Sequence, residues 1–137
     1  MATEPGFNVP SDLYYTKNHE WIRVEDGFAT VGITDYAQSQ LGDITYVELP
    51  EEGDAFKKDE VLGTVDSLKT VAEVYAPLEG EVVSINSDLP DAAENINEKP
   101  YTDAWMVKLE IENESQVEEL MAADDYLKLI SKLSKKQ

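Results

Sequence analysis

The chain has 137 residues, 42% of them hydrophobic and 29% charged, which is enough for one modest core and too polar for a membrane span. It contains no cysteine, which excludes disulfides, thiolate zinc sites and cysteine nucleophiles. Its formal charge is −18, and since the last ten residues hold four lysines and no acid, residues 1–127 carry −22, a balance that disfavours nucleic-acid binding.

Residues 1–13 read as a flexible N-terminal arm and residues 14–137 as a single domain. The arm carries Glu4 and neither Lys nor Arg, which suits no secretory signal and no Arg-rich transit peptide. The expected location is the cytoplasm, or an organelle matrix where a transit peptide has been removed. Tyr14-Tyr15 and Trp21 to Val24 begin a strand that Glu25-Asp26-Gly27 turns back into Phe28 to Ile33. Thr34 is placed to cap a short helix over Asp35 to Leu41, with Gly42 as its stop. Ile44 to Leu49 alternates like a strand and ends at Pro50, and Glu51 to Asp54 makes a polar turn. Val61 to Val65 and Val71 to Tyr75 are rich in β-branched residues and flank the polar segment Asp66 to Thr70, which predicts a hairpin with Lys69 in its tip. Val82 to Ile85 is a further strand, Asn86 to Tyr101 reads as a long polar loop, and Ala104 to Leu109 is the last strand. Ser115-x-x-Glu118 spells a capping box, and Asp124-Asp125 opens a second helix with Leu127, Ile130 and Leu133 inward. Many short strands separated by turns predict a mainly β sandwich or small barrel with C-terminal helices over 115–134 packed outside.

The inventory for catalysis is thin. There is one histidine, no phosphate-cradling glycine loop, no His-Glu-x-x-His and no nucleophile elbow. His19, between Asn18 and Glu20 at a strand start, reads as a satisfied structural histidine, and the carboxylates offer no distinguishable acid–base pair. Lys69 stands apart by its setting. A lysine that is to be acylated needs exposure and a defined presentation, because its protonated amine reacts only where a modifying enzyme grips and deprotonates it. A hairpin tip supplies both, although a solvated surface lysine has the same address.

Several motifs in order and spacing decide between those readings. They are Tyr15-Thr16-x-x-His19-Glu20-Trp21, Val31-Gly32-Ile33-Thr34-Asp35-Tyr36-Ala37-Gln38, Leu41-Gly42-Asp43-Ile44 and Val47-Glu48-Leu49-Pro50. Then come Asp66-Ser67-Leu68-Lys69, Tyr75-Ala76-Pro77-Leu78-x-Gly80-Glu81-Val82, Asn97-x-x-Pro100-Tyr101 and Trp105. From Tyr15 to about Leu109 the chain resembles the H protein of the glycine cleavage system, a lipoyl carrier. The resemblance implies a barrel-sandwich hybrid of two antiparallel sheets, and lipoate attached to Lys69 with Asp66, Ser67 and Leu68 serving presentation and recognition. It also implies a docking cleft near Glu20 and Tyr36, with no metal and no catalytic residue. The implied partners are glycine decarboxylase (P protein), an aminomethyltransferase (T protein), dihydrolipoyl dehydrogenase (L protein) and a lipoylating enzyme. The chain would shuttle an aminomethyl group and electrons among them without being an enzyme itself. Three departures stand out: Asp66 and Leu68 where Glu and Val are usual, Ala104 where Gly is usual, and Ala93 and Asn95 where a proline and an aliphatic residue are common. Biotinyl domains flank their lysine with methionine, whereas Leu68 and Thr70 flank this one. The alternatives are an H-like paralogue relaying lipoyl groups or serving another pathway, and an unmodified acidic interaction module.

Overall fold

The computed structural model describes residues 2–3 and 7–135. Strands β1 (Ala2–Thr3) and β2 (Asn8–Val9) pair with each other, and β3 (Tyr14–Tyr15), β4 (Glu20–Glu25) and β5 (Phe28–Ile33) form a meander. Helix α1 (Asp35–Leu41) interrupts the strands. Then follow β6 (Ile44–Glu48), β7 (Ala55–Phe56), β8 (Val61–Ser67), β9 (Val71–Tyr75) and β10 (Gly80–Ile85). A one-turn helix α2 (Asn95–Glu98), strand β11 (Val107–Ile111) and the terminal helix α3 (Ala123–Lys135) complete the chain. One antiparallel sheet has the order β3-β4-β5-β11-β10-β7 and a second the order β6-β8-β9. Two such sheets with short helices make the expected barrel-sandwich hybrid.

The core follows from strand alternation. Ile22, Val31, Val82, Val107 and Leu109 from the larger sheet meet Ile44, Val47, Val65 and Val74 from the smaller. A second cluster, largely aromatic, joins Tyr15, Trp21, Tyr36 and Tyr101 to Tyr126 and Ile130 of α3. Gly32 is required here, because a Cβ at that position would stand 2.7 Å from the Trp21 indole, which crosses it to donate to Pro100 O at 2.8 Å.

Four expectations are corrected. The arm is not loose over residues 7–13: Val9 and Leu13 are buried in the second cluster, and Asn8 N donates to Asp35. The rest of the arm, at Met1 and 4–6, lies outside the described residues. The long polar loop contains a 3-10 turn (Leu89–Asp91) and α2, because Leu89 and Ile96 are apolar anchors buried in the main core. The last strand begins at Val107 rather than Ala104. The Ser115 capping box does not form. Asn113 caps a 3-10 helix (Glu114–Glu119), and the Ser115 hydroxyl is spent donating to Asn113 Oδ1 at 2.6 Å.

Candidate functional site

Register places Lys69 at the turn between β8 and β9. Asp66 pairs with Val71, so Ser67 to Thr70 must reverse the chain. Ser67 builds that turn: its N–H donates to Thr70 O (2.8 Å), and its Oγ faces the Thr70 and Lys69 amides at 3.2 and 3.4 Å. Leu68 N donates to Asp43 O (3.2 Å), tying the tip to the loop after α1. That loop is itself held by Asn97, whose side chain accepts from Ile44 N and donates to Gly42 O and Gln38 Oε1, each at 2.9 Å. The turn backbone is therefore hydrogen-bonded on both sides while its side chains face water, with Leu68 77% and Val71 60% exposed and Lys69 exposed between them. Leu68 and Val71 are large apolar residues left in solvent on either side of the lysine.

Gly42 ends α1 with φ +84°, a conformation that glycine adopts without strain. A Cβ there would come to 3.9 Å from Lys69 Cε, so the lysine stem lies across the bare backbone. Beside this point runs an open groove of about 280 Å³. Asn18 and His19 form one end, α1 contributes Tyr36, Ala37, Gln40 and Leu41, and β9 contributes Ala72. Leu41 directly precedes Gly42 and Ala72 follows Lys69 by three residues, so the groove passes close to the lysine stem.

Tyr36 is nearly buried and packs its ring on His19 (4.9 Å) and Phe7 (5.1 Å). Glu20 is 1% exposed, its Oε1 accepting from Thr16 Oγ1 at 2.6 Å and its Oε2 from Tyr75 N at 3.0 Å. Burial pushes its carboxyl up to about 7 and the charge of Asp59 adds to this, against the downward pull of the two hydrogen bonds. The structure does not bring Glu20 and Tyr36 to one cleft. Glu20 lines a separate one of about 360 Å³ with Lys58, Asp59 and Met121, and Asn18 borders both. Ala104 is buried in the main core and lines neither cleft.

His19 is more than a core histidine. It has φ +68°, its Nδ1 lies 2.9 Å from the Tyr126 hydroxyl, and it lines the groove. Burial pushes its pKa down. Tyr126 is a positioning group absent from the sequence motifs, because it sits 107 residues from its partner, and Asn97 stands in a motif without its clasping role being visible there. Among the described residues no group of three His, Cys, Asp or Glu is placed to hold a metal, and no helix is long and apolar enough to cross a membrane.

The family model described as glycine cleavage H-protein matches residues 13–133. The chain is 52% identical over 122 residues to a glycine cleavage system H protein of Staphylococcus epidermidis, covering 89% of this chain and 97% of that one. To the H protein of Halalkalibacterium halodurans it is 53% identical over 124 residues, covering 90% and 97%. Its fold is similar to the crystal structure of a glycine cleavage system H protein from Mycobacterium marinum, with a TM-score of 0.80 and 36% identity over 86% of this chain and 95% of that one.

Proposed function

This chain belongs to the glycine cleavage H-protein family, and on that premise we propose that it carries lipoate as an amide on Lys69 Nζ and presents it in turn to the enzymes of that system. The observation that supports the attachment is the pairing of a hydrogen-bonded turn with an exposed lysine. The residues fit the group. Gly42 leaves room over which the lysine stem passes, and the adjoining groove is open and walled by Tyr36, Ala37 and Leu41.

Each residue has a part. Ser67 and Asp43 hold the turn so that Nζ stands clear for acylation. Asp66 and Leu68, beside the lysine, give a lipoylating enzyme its grip. The groove walls shelter what the arm carries from water. When attached, the dithiolane supplies the sulfur that takes up a one-carbon unit and the thiol pair that is reoxidised. The chain itself attaches, delivers and shields, and the partner active sites do the bond-making. We place the P, T and L proteins and a lipoylating enzyme as its partners, met through the tip and the two clefts. Tethering raises the local concentration of the cargo at each docked site, which is the advantage of a carrier over a free cofactor.

The test is Lys69→Arg in a reconstituted glycine cleavage assay. An exposed tip residue contributes little to packing, so the melting temperature is expected to change by no more than about 2 °C while turnover vanishes. Turnover retained by the variant would refute the assignment.

A further inference from the structure

One chain of hydrogen bonds fixes which nitrogen of His19 carries its proton. Thr34 is fully buried, and its Oγ1 accepts from Ala37 N at 3.2 Å as the cap of α1. Among the described residues, the one acceptor within reach of the Thr34 hydroxyl proton is the Tyr126 oxygen at 2.7 Å. A buried hydroxyl proton left without an acceptor is destabilising, so Thr34 donates to Tyr126. Tyr126 is fully buried as well, and its own proton goes to the acceptor that remains, His19 Nδ1 at 2.9 Å. An imidazole that accepts at Nδ1 is neutral and carries its hydrogen on Nε2.

The backbone holds the ring in this pose. His19 N donates to Thr16 O (3.1 Å) and His19 O accepts from Thr34 N (3.0 Å), which together impose the positive φ. Such a backbone is uncommon for a non-glycine residue and persists here because both hydrogen bonds hold it. The rings of Tyr36 and Tyr126 pack against it, and the neighbouring carboxyl, Glu20, is turned to Thr16 and Tyr75. Among the described residues no buried side-chain nitrogen or oxygen lacks a partner, so Nε2, which meets no protein acceptor, lies on the open side, where His19 lines the groove.

We propose that Tyr126, carried in on the C-terminal helix, is a positioning residue that fixes His19 as the Nε2–H tautomer and thereby gives the groove beside Lys69 a neutral hydrogen-bond donor. What that donor meets rests on the carrier reading: an acceptor atom of the attached arm, its amide oxygen or a sulfur. A neutral donor there favours a carbonyl or a thiolate and gives nothing to an ammonium group. The terminal helix, far from Lys69 in sequence, thus sets the chemistry of the groove.

The chain has a single histidine, so its imidazole nitrogens are read without ambiguity from long-range 1H–15N spectra of the full-length protein. At neutral pH the unmodified protein is expected to show the Nε2–H tautomer, and an Nδ1–H or protonated ring would overturn the proposal. Tyr126→Phe keeps the ring stack on Tyr15 (4.7 Å) and removes only the hydroxyl. The variant is expected to give a mixture of tautomers, and an unchanged tautomer in the folded variant would overturn the role of Tyr126. Should the variant not fold, the unmodified spectrum still decides. After lipoylation confirmed by intact mass, reducing the arm is expected to shift the Nε2 signal, and its failure to move in both redox states would exclude the contact. A protein that gains no lipoyl mass would sink the carrier reading instead, with the tautomer still judging Tyr126.

Discussion

Glu20 and Lys69 put opposite demands on the protein, one buried and the other bare. A carboxyl whose folded pKa stands near 7 against an ordinary 4.5 binds its proton more tightly when folded. Stability from this group is therefore highest at low pH and falls as pH rises from about 4.5 to about 7, by roughly 3 kcal/mol when complete. Glu20→Gln removes that titration. In urea melts, the stability of the variant relative to the parent is expected to rise steadily between pH 5 and pH 8, and parallel pH profiles for the two proteins would contradict the buried-acid account. At this scale the sequence is legible in identity and opaque in environment. Lys69 is legible because its neighbours are, but nothing in Asn18-His19-Glu20 shows that His19 takes a positive φ and lines a groove, or that Glu20 is sealed behind Thr16.

The hairpin and the loop after α1 act as one element, with Asn97 as the clasp. Its side chain joins Gln38, Gly42 and Ile44, and the loop in turn accepts from Leu68 at the tip. Asn97→Ala removes three hydrogen bonds and leaves the Ile44 amide unpaired, so it is expected to cost about 2–3 kcal/mol and to speed exchange of the Ile44 and Leu68 amides. Faster exchange at neither position, with an unchanged urea midpoint, is what an idle Asn97 would give. The hairpin was readable because β-branched runs flank a polar tip and strand pairing is local. Asn97 gains its meaning from partners 53 to 59 residues away, which no local pattern conveys. The C-terminal segment fails in the opposite way. Ser115 and Glu118 satisfy the capping pattern, yet Asn113, two residues earlier, takes the Ser115 hydroxyl and starts a 3-10 turn.

The whole molecule carries its charge as a field and its function as a point. With −18 overall, encounters with basic partner surfaces are steered over a Debye length, so association rates with the cleavage enzymes are expected to fall by about tenfold or more between roughly 0.01 and 0.15 M ionic strength. Salt-independent rates would leave the acidic surface a matter of solubility alone. The two-sheet architecture was legible from the count of short strands, whereas the second, aromatic cluster was not. It is assembled from β2, the β3-β4 pair, α1, Tyr101 and α3, which are dispersed in the chain and meet through tertiary packing. The amide at Lys69 is read out by intact mass with peptide mapping, on protein made with a lipoylating enzyme and lipoic acid. A single lipoyl-sized gain is expected, confined to the peptide holding Lys69 and absent from Lys69→Arg. No gain, while another H protein is modified in parallel, or a gain on a different lysine, would contradict it.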